Sequence, residues 1–254
     1  MTPSGASITP NRMQIVILSD IHSNAVALDA VLNAAPTHDE VWCLGDTIGY
    51  GPQPNECLAR IRQRAKHVLT GNHDLACLGE VPLDDFNPVA QIANMWNNAQ
   101  LDAELRAWLR ERPARLDLET ATLAHASPRD PIWEYVLDRN VARANLDHFT
   151  TPVGLVGHSH VPLQYMLRAD GKQLFEHIRP GQVVQLDPSS RYILNPGSVG
   201  QPRDGDARAS YAVWNTEAHT IRVNRVAYDI AATQKQMRDV DLPDVLWQRL
   251  AYGR

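Results

Sequence analysis

Residues 14–22 read Gln-Ile-Val-Ile-Leu-Ser-Asp-Ile-His, and this stretch decides the fold class. Its run of four aliphatic residues predicts a strand that is buried on both faces of a parallel sheet. Asp20 and His22 then lie at the C-terminal end of that strand, where open α/β sheets bind their ligands. A lone Asp-x-His pair is more typical of an ordinary polar loop than of a metal site, so its meaning depends on the rest of the chain.

Two further predicted strands also end in polar residues. Glu40 to Leu44 is followed by Gly45-Asp46, and His67 to Leu69 is followed by Gly71-Asn72-His73-Asp74. Predicted helices connect these strands, as in βαβ units. Positions 20, 46 and 72 are spaced 26 residues apart, which accommodates a strand, a crossover helix and two loops. The three polar clusters are therefore expected on one edge of one sheet.

Later strand ends add histidines to this set. Ala121 to Ala124 runs into His125, and Val153 to Val156 ends in Gly157-His158-Ser159-His160. Together the strand ends supply carboxylate, imidazole and amide groups and no thiolate, which suits Mn, Fe, Zn, Ni or Co without selecting among them. A central Asp46 suggests a carboxylate that bridges two cations, which in two-metal hydrolytic sites lie roughly 3.5–4 Å apart. The strand-end residues are Asp20, His22, Asp46, Asn72, His73, His125, His158 and His160.

Length and composition set the outer limits. A chain of 254 residues with 44% hydrophobic residues predicts one domain over residues 13–254, after a flexible N-terminal tail over residues 1–12. The net charge of −5 gives no overall basic field, so nucleic acid is expected only as a substrate. Cys43, Cys57 and Cys77 fit neither a disulfide framework nor a zinc knuckle. No signal peptide and no apolar run near the roughly 18 residues of a membrane span is found, so a cytoplasmic location is expected.

The remaining segments predict a helical cap and a β-rich second half. Residues from 75 to about 112 carry apolar positions at helical spacing and predict two helices that cover the sheet edge as a cap insertion. Trp96 and Trp108 in this segment are more typical of core packing than of substrate stacking. Trp133 to Phe149 is predicted as a further helix, and the segment after residue 163 as short antiparallel strands with a hairpin turn at residues 169–172.

The chain resembles the calcineurin-like metallophosphoesterases. Five blocks typical of that superfamily occur in order, each after a predicted strand, and only the ordered set makes the resemblance specific. It implies an α/β fold, a four-layer αββα sandwich of two mixed β-sheets flanked by helices, in which the antiparallel strands after residue 160 match the second sheet. The blocks are Asp20-x-His22, Gly45-Asp46, Gly71-Asn72-His73-Asp74, Ala124-His125-Ala126 and Gly157-His158-Ser159-His160.

The resemblance also implies roles for the site residues. His73 is the implied catalytic residue, which donates a hydrogen bond or proton to the phosphate or the leaving oxygen. The implied reaction is hydrolysis of a phosphate ester by a hydroxide that bridges two divalent or trivalent transition-metal ions. One metal would be held by Asp20, His22, Asp46 and His160, and the other by Asp46, Asn72, His125 and His158.

One departure from the phosphoprotein phosphatases of this superfamily concerns the loop after Asp46. Those enzymes carry an Asp-Arg pair there, which orients the catalytic histidine and grips the dianion of a monoester, whereas this chain has Gly49-Tyr50. Recognition of a doubly charged terminal phosphate is then weaker, so the smaller bacterial and archaeal phosphodiesterase-like branch is expected. Arg203 is a candidate for substrate binding, with a solvated loop charge as its alternative. Asp74 is a weaker candidate for the missing orienting carboxylate.

Several alternatives stay open, because fold and metal site determine the reaction type but not the substrate. A phosphomonoesterase, a serine/threonine protein phosphatase-like enzyme and a diadenosine tetraphosphatase-like hydrolase are the rivals among enzymes. A non-catalytic scaffold of the same fold is the rival from another class, and the intact ligand set argues against it. The expected partner is a phosphate-ester substrate, with a homodimer as a further expectation and no membrane association.

Overall fold

The computed structural model describes residues 12–254, so the predicted tail lies outside the described residues except for Arg12. The first of its two six-stranded sheets is mixed and has the order β3-β2-β1-β11-β12-β9. Strands β1, β2 and β3 run parallel to one another, and β11 joins β1 in antiparallel pairing. Its strands are β1 (Gln14–Leu18), β2 (Glu40–Cys43), β3 (His67–Val68), β9 (Val183–Gln185), β11 (Ala209–Asn215) and β12 (Thr220–Val226).

The second sheet is also mixed and has the order β4-β5-β6-β10-β7-β8. Strand β6 pairs in parallel with both β5 and β10, and the remaining pairs are antiparallel. Its strands are β4 (Arg115–Asp117), β5 (Ala121–Ala124), β6 (Val153–Leu155), β7 (Leu163–Leu167), β8 (Gln173–His177) and β10 (Arg191–Asn195).

Helices connect and flank the sheets. Asn24 caps the first of them by accepting a hydrogen bond from the Ala27 N–H. No helix in residues 12–254 has the length and apolar character that a membrane crossing requires. The α-helices are α1 (Ala25–Ala34), α2 (Pro54–Arg64), α3 (Asn72–Leu78), α4 (Pro88–Gln100), α5 (Ala103–Arg110), α6 (Arg139–Asn145), α7 (Ile230–Asp239) and α8 (Asp244–Gln248). Short 3₁₀ helices span Leu83–Asp85, Leu146–His148 and Arg249–Tyr252.

The four layers follow from which face of each strand is apolar. Alternate residues of the two sheets, such as Ile17 and Leu123, share one buried cluster between the sheets. The opposite face of β1 packs on α1, for example Val16 near Leu28. The outer face of the second sheet packs on α6. Both faces of β1 are therefore buried, which agrees with its continuous apolar sequence. The αββα sandwich predicted from the sequence is confirmed.

Two details of the prediction are wrong. The antiparallel strands after residue 160 do not all belong to the second sheet, since β11 pairs with β1, and β12 and β9 extend the same sheet. The predicted helix over residues 133–149 is limited to α6 and one 3₁₀ turn. It begins late because Asp130 holds the N–H groups of Ile132 and Trp133 in a turn, and Asp138 then caps α6. The hairpin turn at residues 169–172 is present, with Gly171 at a φ of 83°.

Candidate metal centre

The residues predicted as metal ligands follow strands of both sheets. Asp20 and His22 come after β1, Asp46 after β2, and the histidines of the later blocks after β5 and β6. Several of these residues have a left-handed backbone, which is uncommon outside glycine and costs about 1–3 kcal/mol each. The left-handed residues in these loops are Asp20 (φ 54°), His22 (φ 51°), Ser23 (φ 52°), Asp46 (φ 50°), His158 (φ 64°) and His160 (φ 60°).

The side chains gather into two buried groups. In one, ligand atoms of Asp20, His22 and His160 all lie within 4.8 Å of one another, and in the other those of Asp46, His125 and His158 do. Asp46 Oδ2 lies between the groups, 3.6 Å from His22 Nε2 and 3.4 Å from His125 Nε2. This position suits a carboxylate shared by two cations.

Asn72 completes the second group. Its Oδ1 lies 3.2 Å from His125 Nε2, at the start of α3. Gly71 before it leaves the space that this contact needs, because a Cβ there would lie 2.2 Å from Asp46 Oδ1 and 2.7 Å from His125 Nε2. The glycine in the Gly-Asn-His block therefore allows the backbone to approach the other ligands closely.

The surroundings of the ligand atoms also fit bound metal ions. Asp46 Oδ2 and His158 Nε2 are buried without a hydrogen-bond partner. The Nε2 atoms of His22 and His160 lie 3.0 Å apart, and burial holds the pKa of both rings well below the usual value, so both rings are neutral. Because His160 Nδ1 donates to the Gln201 carbonyl, its Nε2 is the acceptor of this contact and His22 Nε2–H the donor. A cation bound by both nitrogens would replace this hydrogen bond.

Hydrogen bonds from the opposite ring nitrogens fix how two of these histidines face. His125 Nδ1 donates to the Leu44 carbonyl at 2.9 Å, and His160 Nδ1 donates to the Gln201 carbonyl at 2.6 Å. Each ring therefore presents Nε2 to the centre of the site. A histidine that binds a metal usually donates its other ring N–H to an acceptor outside the site in this way.

Burial and mutual charge shift the carboxylates in opposite directions. Burial raises the pKa of Asp20 to about 7. Burial also opposes ionisation of Asp46, but the neighbouring His125 outweighs it and holds the Asp46 pKa well below the usual value. Conversely, the Asp46 carboxylate overcomes the effect of burial on His125 and raises its pKa to about 9. A bound cation would stabilise the ionised form of the buried Asp20 carboxylate.

His73 lies beside both groups, and Asn94 orients it. The His73 backbone N–H donates to Asp46 Oδ1 at 2.9 Å, and its ring Nδ1 donates to Asn94 Oδ1 at 2.9 Å. Burial lowers the pKa of His73 to about 4. The tautomer that this contact selects leaves Nε2 as the free nitrogen of the ring.

Asp74 does not orient His73. Its carboxylate accepts hydrogen bonds from the backbone N–H groups of Thr47 (3.2 Å), Ile48 (3.0 Å) and Gly71 (3.0 Å). It therefore joins the loop after β2 to the start of α3 and cannot also serve the imidazole next to it. The orienting role considered for Asp74 belongs to an amide on α4.

Sequence reasoning missed Asn94 and its neighbour Asn97. Asn97 accepts hydrogen bonds from Ser23 Oγ at 2.6 Å and from the Gly49 N–H at 3.2 Å, and it donates to the Gly51 carbonyl at 3.1 Å. Both asparagines are fully buried on α4, among apolar residues. A polar pair at i and i+3 on the apolar face of a helix is the signal that would have revealed them.

Arg203 reaches the edge of the site. Its backbone N–H donates to the His160 carbonyl at 3.4 Å, and its guanidinium donates to Gln201 Oε1 at 2.8 Å. The guanidinium carbon lies 5.8 Å from the centre of the Tyr50 ring. Tyr50 in turn packs against His22 and His73, with ring centres 4.8 and 4.3 Å apart. The structure thus brings together every site residue that the sequence indicated.

The αββα sandwich thus carries two adjoining groups of carboxylate and imidazole side chains that could each hold a metal ion. The calcineurin-like phosphoesterase superfamily domain matches residues 13–219. The chain belongs to this superfamily, whose members are metal-dependent, and it is a hydrolase that acts on phosphoric ester bonds.

Two relatives are similar over nearly the whole chain. Protein MJ0912 of Methanocaldococcus jannaschii is 36% identical over 251 residues, which cover 96% of this chain and 99% of that protein. The crystal structure of a metallophosphoesterase from Sphaerobacter thermophilus is 46% identical, with a TM-score of 0.87, over 96% of this chain and 100% of that one.

Other relatives are similar over only part of the chain. The symmetrical bis(5'-nucleosyl)-tetraphosphatase of Photorhabdus laumondii is 33% identical over 129 residues, and that of Vibrio campbellii is 29% identical over 140 residues. These matches cover 48% and 52% of this chain, and 46% and 50% of the two tetraphosphatases. This chain thus matches about half the length of those enzymes.

Proposed function

We propose that the protein is a two-metal phosphodiesterase that hydrolyses a phosphate ester. The observation that carries this proposal is the position of Asp46 Oδ2, which is buried between two groups of metal-ligand atoms and has no hydrogen-bond partner. One cation would be held by Asp20, His22, Asp46 and His160, and the other by Asp46, Asn72, His125 and His158. When bound, such a pair supplies an activated water and neutralises charge on the phosphoryl oxygens.

The residues of the chain position the reacting groups. His73, held by Asn94 through Nδ1, keeps Nε2 as its free ring nitrogen and would donate to the leaving oxygen once that nitrogen carries a proton. Arg203 brings a fixed positive charge to the edge of the site, where it would bind a phosphoryl oxygen. The protein supplies no nucleophilic side chain in this account.

The preference for a diester rests on the loop after Asp46. At the positions where phosphoprotein phosphatases are expected to carry an Asp-Arg pair, the chain has Gly49, at a φ of 95°, and Tyr50. A Cβ at residue 49 would lie 2.9 Å from the Cβ of His73, so no side chain from that position grips a phosphate. A diester carries one negative charge fewer than a monoester and needs less cationic recognition.

The test compares two chromogenic esters on Mn-loaded protein. Hydrolysis of bis(p-nitrophenyl) phosphate is expected to exceed that of p-nitrophenyl phosphate in kcat/KM. A clear preference for the monoester would reverse the proposal and favour a phosphomonoesterase. Mn is the probe here, and the native metal, the homodimer and the cytoplasmic location stay predictions.

A second candidate is a hydrolase of dinucleoside polyphosphates. The partial similarity to symmetrical bis(5'-nucleosyl)-tetraphosphatases favours it. In such a substrate the scissile group is also a phosphorus bonded through two oxygens to larger groups, so the same site would serve. Diadenosine tetraphosphate is therefore a third substrate for the same comparison.

A further inference from the structure

A second arginine lies beside Arg203, and no function described above uses it. Arg249, on the 3₁₀ helix Arg249–Tyr252, donates to the same oxygen of Gln201 at 2.5 Å that Arg203 contacts at 2.8 Å. Its guanidinium carbon lies 4.7 Å from the centre of the Tyr50 ring. Two cations are thus held side by side on one amide oxygen and one aromatic ring.

Neither guanidinium is neutralised. Among the ion pairs of residues 12–254, none involves Arg203 or Arg249. The Nε atoms of both are buried without a hydrogen-bond partner. Burial and the adjacent Arg203 charge lower the pKa of Arg249. Two adjacent cations with unused donors are favourable once an anion lies between or against them.

The supporting groups hold this pair firmly. Leu250, next to Arg249, is buried in the cluster that also contains Tyr50. The Gly205 N–H donates to the Gly253 carbonyl at 3.0 Å, which ties the C-terminal segment to the loop after Arg203. Gln201 is itself buried, and its backbone carbonyl accepts from the metal-site residue His160. The arginines are therefore positioned by the same loop that positions a metal ligand.

We propose that Arg203 and Arg249 form a subsite for a second phosphate group, joined through an anhydride oxygen to the phosphate that is hydrolysed. The proposal rests on the proposed function and narrows it to esters of di- and polyphosphates. A guanidinium binds two phosphate oxygens through parallel N–H groups, so two of them suit a phosphate chain better than a single charged group. An ester with one phosphate, bound by Arg203, would leave Arg249 unused.

The test uses two p-nitrophenyl esters with the same chromophore on Mn-loaded protein: the nitrophenyl ester of thymidine 5'-monophosphate, and the γ-nitrophenyl ester of thymidine 5'-triphosphate. In Arg249→Gln, the KM for the triphosphate ester is expected to rise roughly tenfold with little change in kcat, as for loss of one charge-assisted contact. The KM for the monophosphate ester should stay within about twofold. The ratio of the two kcat/KM values is the readout.

Controls separate binding from folding. Arg238→Gln removes another arginine that lies over an aromatic ring, Trp247, in the same C-terminal region, and it should leave the ratio unchanged. Gln201→Glu places a carboxylate between the two guanidiniums and should lower the ratio as Arg249→Gln does, which keeps the test decisive if that variant does not fold. A purely structural role for Arg249 would change both esters equally and lower the melting temperature.

The outcomes distinguish this inference from the proposed function. Wild-type hydrolysis of the monophosphate ester without any preference for the triphosphate ester, or a ratio unchanged in both variants, would overturn the subsite alone. No hydrolysis of either ester with any of the candidate metals would overturn both.

Discussion

Asp46 is the residue that links the two ligand groups. Its Oδ1 accepts from the His73 N–H, while Oδ2 faces both His22 and His125 without a hydrogen bond. A buried carboxylate oxygen without a partner costs free energy in the absence of a cation. Asp46 thus contacts both candidate ligand groups and also holds the backbone of His73, the proposed catalytic residue.

At the residue scale, the first prediction concerns His73 and the amide that orients it. His73→Ala should lower kcat by about 10²- to 10⁴-fold, the usual contribution of a general acid or base. Asn94→Ala should lower kcat less, by about tenfold, because the ring loses one fixed hydrogen bond. Asn94→Asp retains an acceptor oxygen and should keep more activity than Asn94→Ala. Steady-state hydrolysis of bis(p-nitrophenyl) phosphate measures all three.

The matched control is His67→Ala. His67 lies on β3, just before the loop that leads to His73, and its ring packs against Trp42, with 5.4 Å between ring centres. Its kcat should equal that of the native protein. Near-native turnover in His73→Ala would contradict the role of this histidine as proton donor.

Individual site residues could be predicted where they come directly after a strand, and not where they lie on a helical segment that does not begin at a strand end. The strand ends that bring Asp20, Asp46 and Asn72 together follow from the parallel order of β1, β2 and β3. Asn94 and Arg249 come from helical segments, and which face of a helix meets the site depends on packing that the sequence pattern does not specify. Asp74 was closest to His73 along the chain, yet its carboxylate turns to backbone N–H groups.

At the scale of elements, the region predicted as a cap forms the wall of the site. Helix α4 packs on α3 and holds the loop after β2 through Asn97. Trp96 lies partly buried in the apolar cluster around α4, as expected for core packing. Because α4 carries the residue that orients His73, substitutions in this helix are expected to change turnover as well as substrate preference.

Asp74 is predicted to stabilise the fold by holding the loop after β2 against the start of α3. Asp74→Ala would leave three buried backbone N–H groups without an acceptor, so the free energy of unfolding should fall by roughly 3 kcal/mol. Denaturant unfolding followed by circular dichroism measures this. Asp84→Ala, an exposed carboxylate in the 3₁₀ helix nearby, should change stability by less than about 0.5 kcal/mol. Equal stability of the two variants would show that Asp74 does not hold the loop.

The elements of the first half could be predicted more completely than the order of strands in the second. Strands β1 to β3 and their helices follow from apolar runs separated by turns and caps. The return of β11 to the first sheet could not be predicted, because β10 and β11 are both apolar strands and their sequences do not distinguish one sheet from the other. The sheet that each strand joins depends on how its side chains pack between the two sheets, as Trp214 of β11 packs against Trp42 of β2.

Across the whole molecule, the candidate metal ligands come from both sheets. Asp20, His22, Asp46 and Asn72 follow strands of the first sheet, and His125, His158 and His160 follow strands of the second. Each ligand group contains residues from both sheets. Bound cations would therefore stabilise the sandwich by binding only its folded form.

The central claim is that the chain holds two cations that share Asp46, and the metal content of the purified protein tests it most directly. After loading with Mn and removal of free metal, elemental analysis should give about two ions per chain, and Asp46→Asn should fall to about one or fewer. Asp147→Asn, an exposed carboxylate, should retain the native content. Well under one ion per chain in the native protein, or an unchanged content in Asp46→Asn, would contradict the account.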